Sequence, residues 1–215
     1  MDHDLKRISD TTIGYYRTHA NEFWNGTRDH DVTQNIDALL CALQRKAPGP
    51  YDILDLGCGP GRDIQSFKSL DHHPVGLDAC PEFCAMARDH TDCPVLLMDF
   101  LDLSLNAQSF DGIFANASLF HVPATELQRV LKNLHAALRD GGILFSSNPR
   151  GNGEGFSGER YGCYMEFDDY EKYLKQAGFR VLTHYYRPQH RPRSEQPWLA
   201  VVAEKRSDAA GGSHS

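Results

Sequence analysis

The sequence predicts a doubly wound α/β fold built on a mostly parallel seven-stranded sheet, with one antiparallel strand near the C-terminal edge. Three observations lead there. Five short apolar segments alternate with helical patterns between residues 51 and 147. The first of them runs into a glycine-rich turn, Gly57-Cys58-Gly59-Pro60-Gly61. Two more strand patterns close the chain with a proline-rich link between them. Alternating strands and helices imply β-α-β units and right-handed crossovers. Two strands with no crossover helix between them must run antiparallel.

The elements follow in order. Residues 1–26 read as one amphipathic helix, with Asn25-Gly26 as its stop. A second helix spans about Val32–Lys46, with Ile36, Leu39, Leu40 and Leu43 on one face and Pro48-Gly49-Pro50 ending it. Strands are expected at Tyr51–Leu56, Pro74–Asp78, Pro94–Met98, Phe110–Ala115 and Ile143–Ser147. Helices are expected at Arg62–Leu70, Glu82–His90 after Pro81, and about Thr125–Leu138. Asp140-Gly141-Gly142 reads as the turn before the fifth strand. Arg150–Gly162, with five glycines, reads as a long loop of the kind that forms lids. A helix follows at about Asp168–Ala177, then strands at Val181–Tyr186 and Trp198–Glu204, with no helix in Arg187–Pro197.

At 215 residues the chain holds one domain, residues 1–206, with an N-terminal helical cap over about 1–47. Residues 207–215 are small and polar and read as a disordered tail. Lys and Arg number 22 against 29 Asp and Glu, a net charge of −7, which argues against a nucleic-acid or anionic-membrane partner. No apolar run is long enough to span a bilayer, and the acidic start Met1-Asp2-His3-Asp4 is unlike a signal peptide, so a cytoplasmic location is expected. The six cysteines are scattered without metal-ligand spacing and read as reduced. The eleven histidines include no H-E-x-x-H, so no metal site is expected.

The glycine turn carries the chemistry. Glycines at the junction of a strand and a helix let a polar ligand approach backbone N–H groups. The spacing Gly57-x-Gly59-x-Gly61 is not the dinucleotide fingerprint, because Arg62 stands where its third glycine belongs, and no Gly-Lys-Ser/Thr follows. Asp55 precedes the turn; an acid there repels pyrophosphate but suits an ammonium group. Asp78 ends the second strand, 17 residues after Gly61, a separation at which a carboxylate accepts ribose hydroxyls. Asp99-Phe100 ends the third strand, placed to read an adenine edge. An adenosine ligand bearing an ammonium group is S-adenosylmethionine.

The run D-L-G-C-G-P-G-R-D at Asp55–Asp63, with Asp78 and Asp99-Phe100 beyond it, resembles the class I S-adenosylmethionine-dependent methyltransferases, which share a Rossmann-like fold. That resemblance implies a cofactor site of Tyr16, Asp55, Gly57, Gly59, Gly61, Arg62, Asp63, Asp78, Ala79, Asp99, Phe100, Asn116 and Ala117. Phe23–Asn35, Phe114–Pro123, Ser146–Gly151, His184–Pro188 and Gln196–Ala200 resemble the methyltransferase domain of ovothiol biosynthesis. This narrower resemblance implies methylation of the π nitrogen of 5-thiohistidine, by a stand-alone enzyme or an excised domain working beside or fused to a sulfoxide synthase.

For the acceptor, His121 lies just past the fourth strand on the ligand-binding rim, to move a proton or to position the substrate without moving one. Tyr15 and Tyr16 belong to a helix that closes over the cofactor or merely packs. Trp24, His30, Asp31, Gln34 and Asn35 form a dense polar and aromatic stretch in which Asp31 also suits helix capping. Arg150 and Arg187 follow the fifth and sixth strands and are placed to fork onto a substrate carboxylate. Asn148, Tyr161, Tyr185, Tyr186, Gln196 and Trp198 complete the expected pocket. The competing readings are methyl transfer to another metabolite, a nucleic-acid methyltransferase, an NAD-dependent oxidoreductase, and a protein that binds the cofactor without turnover.

Overall fold

A computed structural model describes residues 2–206. The expected disordered tail, 207–215, lies outside the described residues. The chain order is α1 (His3–Thr18), α2 (Ala20–Thr27), α3 (Thr33–Gln44), β1 (Asp52–Leu56), α4 (Arg62–Ser69), β2 (His73–Asp78), α5 (Pro81–Thr91) and β3 (Val95–Leu97). It continues with β4 (Phe110–Asn116), α6 (Ala124–Ala137), β5 (Leu138–Pro149), β6 (Gly153–Ser157), β7 (Arg160–Tyr164), α7 (Phe167–Gln176), β8 (Phe179–Arg187) and β9 (Trp198–Lys205).

The main sheet has seven strands in the order β3-β2-β1-β4-β5-β9-β8. The pairs from β3 to β5 are parallel, while β9 runs antiparallel to both β5 and β8. The expected sheet, with its single reversed strand near the C-terminal edge, is therefore present. The chain moves outward from β1 to β3 and then returns to place β4 on the other side of β1. The carboxyl ends of β1 and β4 thus flank the crevice where open α/β sheets bind ligands.

Alternation along the strands builds two core layers. Leu54, Leu56, Leu77, Ile113 and Leu144 face α6 and α7, packing on Val130, Leu131, Leu134 and Leu174. Ile53, Phe114, Phe145 and Val202 face the other way, onto Ile36, Leu39 and Leu43 of α3 and onto Phe67. Burial on both faces explains why the strands read as near-continuous apolar runs.

Four expectations need correction. The first helix is two helices, broken at His19, where the Thr18 hydroxyl and the His19 ring compete for the carbonyls of Gly14 and Tyr15. Asn25-Gly26 lies inside α2 rather than ending it; α2 closes at Thr27, whose carbonyl accepts a hydrogen bond from Arg62 (2.9 Å). Asp140-Gly141-Gly142 is no turn between elements, since β5 already begins at Leu138 and absorbs it as a register shift against β4. The glycine-rich segment after Pro149 is not an open loop but the two-stranded hairpin β6–β7, paired from Gly153–Tyr164 to Ser157–Arg160. A minor difference is one 3-10 turn, Arg193–Glu195, in the link expected to contain no helix.

Candidate functional site

β1 delivers the glycine turn to α4, and the turn is held by paired bonds from Gly57 N–H (2.7 Å) and Cys58 N–H (3.0 Å) to the Leu77 carbonyl. Gly57 has φ +75°, and a Cβ there would sit 2.4 Å from the Ser118 Cβ, so no other residue fits. Gly61 has φ +97° with Ala87 and Thr91 packed against it. The turn borders a cavity of about 640 Å³, within the usual range for small-molecule sites. Its other walls come from α1, α2, the segment after β4, and the β6–β7 hairpin.

Carboxylates gather at the strand ends. Asp78 accepts the Gly59 and Cys80 backbone N–H groups, both at 2.9 Å, one on each oxygen. Burial nevertheless pushes its carboxyl up to about 6. Asp99 accepts Leu101 N–H (2.8 Å) on one oxygen and the Ser9 hydroxyl on the other, tying α1 to the end of β3. Asp63 is clamped by both edges of the Arg62 guanidinium (2.6 and 3.0 Å) and by the Asn116 amide (3.1 Å). Asp55 lies behind the turn rather than on the cavity wall. It is 1 % exposed, its Oδ2 has no hydrogen-bond partner among the described residues, and burial followed by the nearby Asp63 charge raises its pKa well above the carboxylate range. Of the expected cofactor residues, Tyr16, Gly57, Gly59, Arg62, Asp63, Asp78, Ala79, Asp99, Phe100, Asn116 and Ala117 line the cavity. Gly61 and Asp55 support it from behind.

The opposite wall is built on one hydrogen-bonded pair. Tyr16 Oη lies 2.9 Å from His121 Nε2, and His121 Nδ1 lies 2.6 Å from the Tyr161 carbonyl. A carbonyl only accepts, so Nδ1 carries the proton and Nε2 accepts from the Tyr16 hydroxyl. Burial, aided by the positive Arg160, lowers the His121 pKa to about 4, so the ring is neutral at physiological pH. Burial raises the Tyr16 pKa, while a hydrogen bond and the charge from Arg160 oppose that rise. Ala117, next to this pair in the cavity wall, is held at φ +62°, a left-handed conformation unfavourable for a residue with a Cβ.

The acceptor residues expected from sequence divide. Trp24, His30, Asp31, His121, Arg187 and Trp198 line the cavity. Trp24 is stacked on His90, which in turn reaches the Pro60 carbonyl (2.9 Å). Asp31 accepts Thr33 N–H (2.9 Å) at the start of α3, the capping role its position suited. The others do not reach the cavity. Arg150 forks onto Glu166 (3.1 and 2.9 Å) and donates to the carbonyls of Arg193 and Gln196, so its donors are spent on holding β5 to the segment before β9. Tyr186 lies under the guanidinium groups of Arg150 and Arg193. The Tyr161 hydroxyl turns away to Glu154 (2.7 Å). Asn148 accepts Phe120 N–H (3.1 Å), and Gln196 donates to the Pro188 carbonyl (3.1 Å). Asn35 and Tyr185 form a chain behind the wall, Tyr185 Oη to Asn35 Oδ1 and Asn35 Nδ2 to Asn116 Oδ1, each 2.9 Å, while Gln34 contributes only its carbonyl.

Arg160, at the start of β7, lines the cavity and was not among the residues expected there from the sequence. It sits in the segment taken for a loop, although Gly158-Glu159 between the alternating Phe156 and Tyr161 was a hairpin signal. Among the described residues no group of three or more His, Cys, Asp or Glu side chains is arranged to hold a metal ion, and no helix is long and apolar enough to cross a membrane. All six cysteines are unpaired, four of them buried.

Comparison with known proteins agrees with this architecture. Residues 53–142 match the methyltransferase-domain family. The chain is 26% identical over 149 residues to the 18S rRNA (guanine-N(7))-methyltransferase of Schizosaccharomyces pombe, covering 64% of this chain but only 55% of that protein. It is 26% identical over 200 residues to a ubiquinone biosynthesis O-methyltransferase of Xanthomonas axonopodis, covering 89% and 79% respectively. Among solved structures, the 1,6-didemethyltoxoflavin-N1-methyltransferase of Burkholderia thailandensis superposes with a TM-score of 0.73 at 20% identity, covering 96% of this chain and 91% of that one. An S-adenosylmethionine-dependent methyltransferase of Leishmania major gives 0.74 at 17% identity over 91% and 82%. With its sheet order, its single reversed strand and its glycine turn, this chain has the class I methyltransferase fold, and the stretch that matches the methyltransferase-domain family, residues 53–142, runs from β1 into β5.

Proposed function

We propose that the protein is an S-adenosylmethionine-dependent N-methyltransferase acting on a small heterocyclic amino acid, 5-thiohistidine, at an imidazole nitrogen. The observation that carries the cofactor and small-acceptor part of this reading is one cavity joining the carboxylates at the ends of β2 and β3 to the Tyr16–His121 pair, while the thiohistidine acceptor rests on the sequence resemblance at Phe23–Asn35 and Phe114–Pro123. Carboxylate acceptors at the ends of β2 and β3, beside a glycine turn, fit a ligand with hydroxyl groups and reject a pyrophosphate. Each Asp78 oxygen already accepts one backbone N–H and keeps a lone pair for a ribose hydroxyl. Phe100 offers a flat apolar face beside Asp99.

When bound, S-adenosylmethionine supplies a sulfonium-activated methyl group, so the acceptor nitrogen forms the new N–C bond with its lone pair while the S–C bond breaks toward sulfur. What remains for the protein is alignment and exclusion of water. The Tyr16 proton is committed to His121, so the Tyr16 oxygen presents only acceptor lone pairs to the cavity. An acceptor's ring N–H would be held by that oxygen, which would leave the other ring nitrogen with its lone pair free for the transfer. Neutral His121 positions Tyr16 in this scheme, and the proton released after transfer leaves from the acceptor's thiol or ring to solvent.

The Burkholderia neighbour that shares this fold is a 1,6-didemethyltoxoflavin-N1-methyltransferase, so the fold accommodates N-methylation of a small molecule. A second reading, O-methylation of a small molecule, is favoured by the long alignment with the ubiquinone biosynthesis enzyme. Mass spectrometry of the products from 5-thiohistidine, histidine and a catechol-type phenol tests both. A ring-N-methylated thiohistidine is expected; methylation of the phenol with no turnover of thiohistidine sinks the first reading.

A further inference from the structure

Two arginines lining the cavity, Arg160 and Arg187, form no ion pair with a carboxylate among the described residues, whereas the third, Arg62, is spent on Asp63. Arg187 is partly compensated, donating to the Asp31 carbonyl (3.1 Å) close to the Asp31 carboxylate. No ion pair or hydrogen bond to a carboxylate or carbonyl engages the Arg160 guanidinium among the described residues. It lies 5.2 Å from the Tyr15 ring centre and reaches the Tyr16 hydroxyl. The next residue anchors the strand: Tyr161 N–H donates to the buried Thr12 hydroxyl of α1 (3.1 Å), and the Tyr161 carbonyl takes the His121 proton (2.6 Å). An exposed guanidinium that lines the cavity from an anchored strand, beside a neutral histidine and a tyrosine, is a site for a planar anion.

We propose that Arg160 is the specificity-determining residue of the acceptor site and that it takes a carboxylate of the methyl acceptor. This role rests on the methyltransferase reading, and it replaces Arg150, whose donors are consumed by Glu166 and two carbonyls. The acceptor is then an anionic small molecule of amino-acid type, and a neutral or purely cationic analogue of the same ring binds poorly.

The test is calorimetric titration of the protein saturated with S-adenosylhomocysteine, using 5-thiohistidine and the amine left when its carboxylate is removed. The wild type is expected to bind the acid at least tenfold more tightly than the amine. Arg160→Ala should abolish that preference, Arg160→Lys should restore part of it, and S-adenosylhomocysteine affinity should be unchanged in both. A wild type that does not discriminate between acid and amine, including one that binds neither, overturns the proposal, as does an Arg160→Ala variant that keeps the preference. Turnover with S-adenosylmethionine is read separately. Failure to methylate thiohistidine while the carboxylate preference holds would remove the substrate and leave the anion site standing.

Discussion

The Tyr16 hydroxyl donates to His121 Nε2 across 105 residues of sequence, and the opposite nitrogen of that ring is fixed on the Tyr161 carbonyl. One ring thereby joins α1, the segment after β4 and the hairpin. If the Tyr16 oxygen orients the acceptor, Tyr16→Phe should lower kcat about 10–100-fold with a much smaller effect on cofactor affinity. Single-turnover kinetics beside cofactor titration checks this split; loss of cofactor binding alone would make Tyr16 a lid residue only.

His121 titrates at about 4, below its ordinary value of 6.5, so the activity profile should show no limb near 6.5 from this residue. The sign for stability follows from the same shift. Between about pH 6.5 and 4 the unfolded ring binds a proton that the folded ring refuses, so stability falls as pH falls through that window. The loss is on the order of 2 kcal/mol. Chemical denaturation at pH 7 and pH 4.5 should show it, and His121→Asn should reduce the pH dependence.

Gly57→Ala should cost about 2 kcal/mol or more, because it combines a left-handed backbone with a Cβ 2.4 Å from Ser118. Gly59→Ala shares the left-handed strain (φ +52°) but meets only the Phe23 ring, at 3.5 Å, so it should be milder in stability, with part of its effect falling on the cavity. Thermal melts of the two variants with and without S-adenosylmethionine separate these effects.

Arg150→Ala should destabilise the fold by roughly 1–2 kcal/mol while leaving the acceptor's KM unchanged in the folded protein. The contrast with Arg160→Ala, which should raise KM, is the kinetic check. A raised KM for Arg150→Ala would restore the role its sequence position suggested.

These two arginines also mark what the sequence made legible. The glycine turn and the acids at Asp78 and Asp99 could be found because each is set by local chain geometry: a strand end, a turn, a helix start. The mostly parallel sheet with its one reversed strand was legible for the same reason, through alternation of apolar runs and helices, whereas the strand order came only from the structure. Arg150 was misplaced because following a strand says nothing of which way a side chain turns, and Glu166 claims it from another element. Arg160 was hidden because five glycines around it mimic a loop, and only the pairing of β6 with β7 against α1 brings it to the cavity. The Asn35–Asn116–Asp63 chain joins residues far apart in sequence, and no local pattern announces such a network.

The most direct measurement is calorimetry of S-adenosylmethionine binding to the wild type and Asp78→Ala from pH 5 to pH 8. The Asp78 carboxyl, pushed up to about 6 by burial, must be ionised to accept both ribose hydroxyls while holding Gly59 and Cys80. Wild-type affinity should therefore weaken as pH falls below about 6, and Asp78→Ala should bind at least about tenfold more weakly at pH 7 with that pH dependence removed. No binding of S-adenosylmethionine by the wild type, or equal affinity in the two proteins, would contradict the account.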